Sequence, residues 1–438
     1  MKTKITLCLC ILIATNAWAQ TTLDIDSAVS QALENNLSLR RSEMDTLSAK
    51  RKYDRSWNSL IPSLGAGAMI AHPTSITDSI PPAQDVWTPG LSLSASLSLS
   101  PAIFANIKAT KQEYEAGRIN YAAARQELEF QVRRLYYQLL LLKANAELAD
   151  LNIESAQSRY EQTVSLQRAG RASNLDELSA RLDVQTQKAS VQNAWSVYNN
   201  ALDSLKYLLL IPMEENIILQ GDLRNYTVSN DNIESLNASG MSNESMQMSV
   251  LRQSITTIEV QRKAARLRSY APALTFSWNA APLYIDQASE WRDSSGQFSI
   301  ALSFKLDNYL PWSSAKEQID SLNDAITSQQ SLLTESAINH QNTVQKLLRD
   351  IVRSQDSIET LHLNITLAEE TLRMYTESYM SGAVDLQTLN STRDNLRTAQ
   401  NRLLSEQFNL LSSILELEKE LNIPFGSITA IQGIAPEI

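Results

Sequence analysis

From Leu91 to Ser100 apolar and polar residues alternate at every step, with Leu91, Leu93, Ala95, Leu97 and Leu99 set against Ser92, Ser94, Ser96, Ser98 and Ser100. A period of two marks a strand with one apolar face. Phe298, Ile300, Leu302, Phe304 and Leu306 repeat the pattern, and Leu274, Phe276 and Trp278 share a face opposite Thr275, Ser277 and Asn279. Strands are therefore expected over about 64–71, 91–100, 274–280 and 298–306.

Elsewhere the spacing changes to three and four, as in Leu128, Val132, Leu135, Leu139, Leu142, Ala146 and Ala149, which predicts amphipathic helix. None of the 12 prolines lies between Pro101 and Pro212 or between Pro311 and Pro424, and Gly117, Gly170 and Gly382 are the only glycines in those stretches. Helices are expected over about 25–60, 102–169, 173–210, 246–270, 313–381 and 385–421. At 1.5 Å per residue the second would extend ~100 Å, beyond a globular domain, so it needs helices running beside it.

The two halves repeat. Ala169-Gly170 answers Ser381-Gly382, and Leu210-Ile211-Pro212 is answered 212 residues later by Asn422-Ile423-Pro424. An Arg/Lys-rich helix ends before Pro62 and another before Pro272. This reads as one duplicated unit, 20–222 and 246–422, with a linking segment 223–245 and a terminal segment 423–438. In the stretches that follow Pro212 and Pro424, Ile217-Ile218-Leu219 and Ile428 to Ile431 look like short strands.

Residues 1–19 have the form of an export signal: Lys2 and Lys4, an apolar run from Ile5 to Ala14, then Ala17-Trp18-Ala19. Cleavage after Ala19 is expected. Both cysteines, Cys8 and Cys10, fall inside that segment, which leaves the mature chain without thiol chemistry and argues against a lipid anchor. With 38 Lys and Arg against 48 Asp and Glu, the net charge of −10 argues against a nucleic-acid surface. No nucleotide-binding glycine loop, Ser/His/Asp spacing or histidine cluster is present, since His72, His340 and His362 stand apart. No catalytic residue, cofactor or metal is expected.

Alternating strands suit a soluble sandwich as well as a membrane barrel. Export, strand lengths near the ~9–11 residues that cross a bilayer, and the lack of strands for a second layer favour the membrane. Four strands cannot close alone, and an open edge in lipid leaves backbone groups unpaired, so closure must come from other copies.

The order helix, two strands, long helix, turn, helix, given twice, resembles the TolC-like outer-membrane efflux channels of Gram-negative bacteria. So do the turns Arg168-Ala169-Gly170-Arg171-Ala172-Ser173-Asn174-Leu175 and Met380-Ser381-Gly382-Ala383-Val384-Asp385-Leu386. The resemblance implies a mainly α-helical chain with a membrane β-barrel. In that fold a homotrimer closes twelve strands into one barrel in the outer membrane and extends a helical tunnel into the periplasm. It also implies a periplasmic adaptor, an inner-membrane RND or ABC pump, and outer-membrane lipid as partners. The lipid face would carry Leu91, Leu93, Leu97, Leu99, Phe298, Ile300, Leu302 and Phe304.

By the same resemblance the turns form the tunnel's periplasmic entrance and the adaptor-docking tips, with Gly170, Arg171, Leu175, Asp176 and Leu178 in the first. Gly382, Asp385, Leu386, Gln387, Leu389 and Asn390 belong to the second. Asp176 keeps an acid there, whereas Gln387 and Asn390 stand where the best-known members have Asp. The residues also admit plainer roles. Acids beginning a helix offset its positive end, glycines accept positive φ, and the leucines suit packing between helices. Trp87, Trp278, Tyr284, Trp291, Tyr309 and Trp312 suit an interfacial girdle or loop packing. Two functions follow: a passive exit duct for efflux or type I secretion, or an exported coiled-coil scaffold without transport.

Overall fold

The computed structural model describes residues 21–72, 87–223, 226–228, 244–281, 283–285, 290–292 and 296–431. The export signal and most of 223–245 lie outside them. The chain is mainly helical and divides into two compact units. One gathers residues 40–124 and 245–340; the other gathers 1–39, 125–244 and 341–438.

In order come β1 (Thr21–Leu23), α1 (Ile25–Asn35), α2 (Leu37–Asp54), β2 (Ser63–Ala71), β3 (Thr88–Leu99), α3 (Pro101–Arg168) and α4 (Asn174–Leu209). Then follow β4 (Ile217–Leu219), β5 (Tyr226–Val228), α5 (Met246–Tyr270), β6 (Ala273–Ala280), β7 (Leu283–Ile285), β8 (Glu290–Arg292) and β9 (Gln297–Ser303). The chain ends with α6 (Ser314–Met380), α7 (Leu386–Glu420) and β10 (Thr429–Ile431). α3 and α6 run 68 and 67 residues without a break.

Where one helix was expected over 25–60, three pieces occur. Asn36 has extended backbone angles and its side-chain oxygen accepts from the N–H groups of Ser38 and Leu39, so it stops α1 and caps α2. A 3-10 turn, Ser56–Leu60, then leads to Pro62.

In the unit that carries the sheet, β2, β3, β6 and β9 form an antiparallel sheet in that spatial order, two hairpins joined side by side through β3 and β6. β7 prolongs the line of β6 beside β3 in the same register, Leu93 with Ala280 and Gly90 with Leu283, and pairs with β8. This hairpin is additional to the four strands expected; its three-residue strands are too short to show a period. Strand β9 ends at Ser303, and Leu306 begins a 3-10 turn, so Phe304 lies just beyond the sheet. Among the described residues, β2 and β9 each keep one unpaired edge. Helices of this unit pack through Thr46, whose hydroxyl donates to the Gly117 carbonyl, and through the stacked rings of Tyr53 and Tyr114.

The core of the other unit lies between α6 and α7, where Val344, Leu347, Ile351, Leu410, Ile414, Leu417 and Leu421 enclose Ile428 from the terminal segment. Two pairs of short strands flank the long helices, β1 with β4 in parallel and β5 with β10 antiparallel. The buried Tyr136 hydroxyl on α3 lies against the carbonyls of Leu23 and Gln220, binding both strands of the parallel pair. One backbone conformation recurs at corresponding places after α4 and α7. Leu210 and Asn422, 212 apart, are the only non-glycine described residues at positive φ, 54° and 52°.

Four residues before each of these sits a buried charge. The Lys206 ammonium donates to the Met213 carbonyl at 2.8 Å, whereas the Glu418 carboxylate accepts from the N–H groups of Gly426 and Ile428, both at 2.9 Å. The repeats thus solve one problem, a chain reversal after a long helix, with opposite charges.

Candidate functional site

Two features carry the expected function: the faces of the sheet and the turns joining the long helices. Register decides the first. Leu64 faces Ala95, Ala95 faces Trp278 and Trp278 faces Phe298. On neighbouring rungs Leu97 meets Phe276 and Phe276 meets Ile300, while Leu99 meets Leu274 and Leu274 meets Leu302. Every alternating apolar set therefore falls on one side. Leu91, Leu93, Phe298, Ile300 and Leu302 are exposed there, and Leu97 and Leu99 half-buried; Phe304 is exposed just past the strand end. A sheet face with Leu64 82 % and Ile300 60 % exposed has no protein layer over it.

The opposite face is mostly small and polar, with hydroxyls predominating and Met69 toward the end of β2. Ser63, Ser96, Ser277 and Ser299 occupy one rung across the four strands, the outer pairs 2.7 Å apart between Oγ atoms. Gly65 and Gly67 of β2 make room for the facing serines, since a Cβ on either would lie 2.6 Å from the Ser94 hydroxyl or 2.7 Å from that of Ser92. None of the four long strands contains a charged residue.

Of the aromatic residues, Trp87 is exposed and lies against His72, and Trp278 covers Gly296, where a side chain would collide with the indole. Tyr309 and Trp312 are exposed beside the strand ends. The side chains of Tyr284 and Trp291 lie outside the described residues. Exposed Trp57 and Phe104 belong to the same zone and were not anticipated; only their nearness to Pro62 and Pro101 could have marked them.

The turns are built alike. After α3 the N–H of Gly170 bonds the Gln167 carbonyl and that of Arg171 the Leu166 carbonyl; after α6 Gly382 bonds Tyr379 and Ala383 bonds Ser378. This closure requires a left-handed residue, and Gly170 and Gly382 have φ of 70° and 81°. A Cβ on either would meet nothing within 4 Å, so backbone conformation alone selects glycine.

The acids at the turns serve as caps. Ser173 and Asp176 form a reciprocal capping box on α4, and Asp385 caps α7 by accepting from the Thr388 N–H at 2.8 Å. Hydrogen bonding from the Thr388 side chain, and then from its backbone N–H, holds the Asp385 carboxyl below its ordinary range. Arg171 reaches from the first turn to the second and donates to the Met380 carbonyl at 3.0 Å. The four leucines divide: Leu389 is buried and Leu386 half-buried, whereas Leu175 and Leu178 are exposed on α4. Gln387 is exposed, and Asn390 accepts from Arg393.

Just inside the turns a polar network braces α3, α4 and α7. Arg159 pairs with Asp183 at 2.7 Å, Gln187 donates to the same carboxylate, and Arg397 donates to Gln187. Arg393 sits beside them at a cavity of about 140 Å³, its guanidinium pushed down to about 10 by burial and by Arg159. Sequence spacing gave no sign of this network. Among the described residues no group of His, Cys, Asp or Glu could hold a metal, and no helix is long and apolar enough to cross a membrane.

Residues 28–209 match the outer membrane efflux protein family. No curated protein matches the sequence significantly. Among solved structures, the outer membrane protein VceC from Vibrio cholerae superposes with a TM-score of 0.76 at 16 % identity, over 92 % of this chain and 96 % of that one. CusC gives 0.75 at 17 % identity, over 94 % and 96 %. The open state of the MtrE outer membrane channel of Neisseria gonorrhoeae gives 0.74 at 18 % identity, over 91 % and 89 %. Residues 28–209 are thus similar to the outer membrane efflux proteins, and the chain as a whole takes the fold of these outer-membrane channels.

Proposed function

We propose that three copies of the chain close their sheets into one twelve-stranded barrel in the outer membrane, forming the passive exit duct of a tripartite efflux or type I secretion system. The observation that carries this reading is the sheet itself: an uncovered apolar face, a hydroxyl face and an unpaired edge on each side. Lipid satisfies the first, a water-filled lumen the second, and neighbouring copies the third. A coiled-coil scaffold has no use for such a sheet. Energy comes from an inner-membrane RND or ABC pump, reached through a periplasmic adaptor that meets the tips around Gly170 and Gly382, where Leu175 and Leu178 are exposed.

Cell fractionation tests the duct. A heat-modifiable trimer in the outer-membrane fraction is expected; a soluble periplasmic protein would establish the scaffold instead.

At the entrance Asp176 and Asp385 are engaged in caps, and Gln387 and Asn390 carry no charge. Gln387→Asp with Asn390→Asp is therefore expected to raise cation preference in planar-bilayer recordings, because copies around the axis would gather carboxylates at one constriction. Unchanged selectivity would place the constriction elsewhere.

A further inference from the structure

The chain carries a net charge of −10, yet the helices that lead into the sheet end in dense positive charge. Residues 50–55 hold four cations against Asp54, and residues 262–268 hold four cations and no acid. These are the Arg/Lys-rich ends that precede Pro62 and Pro272, one in each repeat, and the duct needs neither. Both lie in the unit that carries the sheet.

Arg51, Lys52, Arg55, Lys263 and Arg266 are exposed, and none forms an ion pair among the described residues. Arg268 donates only to the Asn106 amide oxygen, at 3.0 Å. Unpaired like charges packed this closely repel one another, which costs stability unless an anion is present.

Their place in the chain says which anion. Tyr270 ends α5 three residues before β6 begins at Ala273, so Arg266 and Lys263 lie only ~6 and ~10 Å along the helix from its end. Exposed Trp57 lies on the link from α2 to β2, and exposed Leu306, Tyr309 and Trp312 lie on the link from β9 to α6, where the Tyr309 hydroxyl donates to the Tyr270 carbonyl at the end of α5. Apolar strand face, aromatic residues, then cations is the order in which a bilayer presents hydrocarbon, interface and headgroup. The headgroup zone spans ~5–8 Å on each side of the hydrocarbon, within reach of arginine and lysine stems that extend toward it.

We propose that the ends of α2 and α5 form a basic collar that binds the headgroups of anionic phospholipids in the leaflet facing the periplasm. The inference rests on the membrane reading of the sheet and adds to it a preferred lipid. Charge complementarity carries it: two positive clusters on an acidic chain, both at the strand ends from which the long helices also leave. Each neutralised cation is worth about a fivefold change in affinity for an anionic surface.

The test compares the wild-type trimer with a variant combining Lys52→Gln, Arg55→Gln, Lys263→Gln and Arg266→Gln, all exposed and without ion pairs. Each is reconstituted in nanodiscs of phosphatidylethanolamine alone or with one quarter phosphatidylglycerol. Retained lipid is measured by mass spectrometry after detergent washing, and trimer dissociation temperature on semi-native gels. Wild type is expected to retain phosphatidylglycerol over phosphatidylethanolamine and to dissociate several degrees higher when it is present. The variant is expected to assemble equally in phosphatidylethanolamine and to lose both effects. Equal retention and equal dissociation temperatures in wild type and variant would overturn the collar while leaving the barrel intact. Failure of the wild type to insert in either membrane would overturn the membrane reading, and the collar with it.

Discussion

Exchanging Ile300 for arginine is expected to remove most of the assembled protein from the membrane, while arginine at Ser94 leaves assembly near wild-type levels. Both positions lie within the sheet and both side chains are exposed, so exposure does not distinguish them. They differ in face. Ile300 pairs with Phe276, which pairs with Leu97, on the apolar side; Ser94 stands opposite Gly65 and Asn279 on the hydroxyl side. Arginine at the middle of a lipid face costs ~2–4 kcal/mol, and repetition in every copy multiplies the loss for the assembly. Facing water, the same side chain keeps its hydration. Quantifying heat-modifiable trimer in outer-membrane fractions decides it, and equal losses from both substitutions would remove the assignment of faces.

A comparable loss is expected from Glu418→Ala, for a reason unrelated to lipid. The carboxylate is 1 % exposed and holds the N–H groups of Gly426 and Ile428. A buried donor left without a partner costs ~1–3 kcal/mol; the Ile428 N–H is buried whereas Gly426 is exposed to water, so about 2 kcal/mol is expected. The loss should release Ile428 from the core between α6 and α7. Burial is also the largest influence on this carboxyl and pushes its pKa above the ordinary value. Since the folded value exceeds the unfolded one, its proton-linked stabilisation is complete below the ordinary glutamate range and is lost as pH rises through the raised value. Glu418→Gln removes that dependence. Thermal melts of both proteins from acid to neutral pH measure it: the stability of the wild type relative to the Gln variant should fall as pH rises, the other carboxylates contributing equally to both.

How much of this was legible in the sequence follows from the length of each signal. The two sheet faces could be read from single strands, because alternation over seven or more residues fixes a side and the register then aligns sides between neighbours. The turns at Gly170 and Gly382 could be read because one glycine interrupts a long run of helix formers. By contrast, β1 and β5 have three residues each, which is no period at all, and they exist only through partners far along the chain. Asn36 is of a type that favours caps, but it follows Asn35 inside a continuous helical pattern, so its role appears only once its backbone is extended. At the tips, resemblance cast Asp176 as an entrance acid, while the box with Ser173 shows a local use for it. The pairing of Arg159 with Asp183 and of Arg397 with Gln187 joins residues from three helices, and no spacing rule reaches across them.

Opposite charges at Lys206 and Glu418 also bear on which pieces of the two halves are interchangeable. Exchanging only the helix ends, without the loops that follow them, would yield a chain in which each charge meets the other's partner. That chain would set a lysine ammonium where two backbone N–H groups now need an acceptor, donor against donor in a buried site. It would also set a carboxylate against the Met213 carbonyl. Each helix end is thus matched to the loop that follows it, and the two can change places with their counterparts only together.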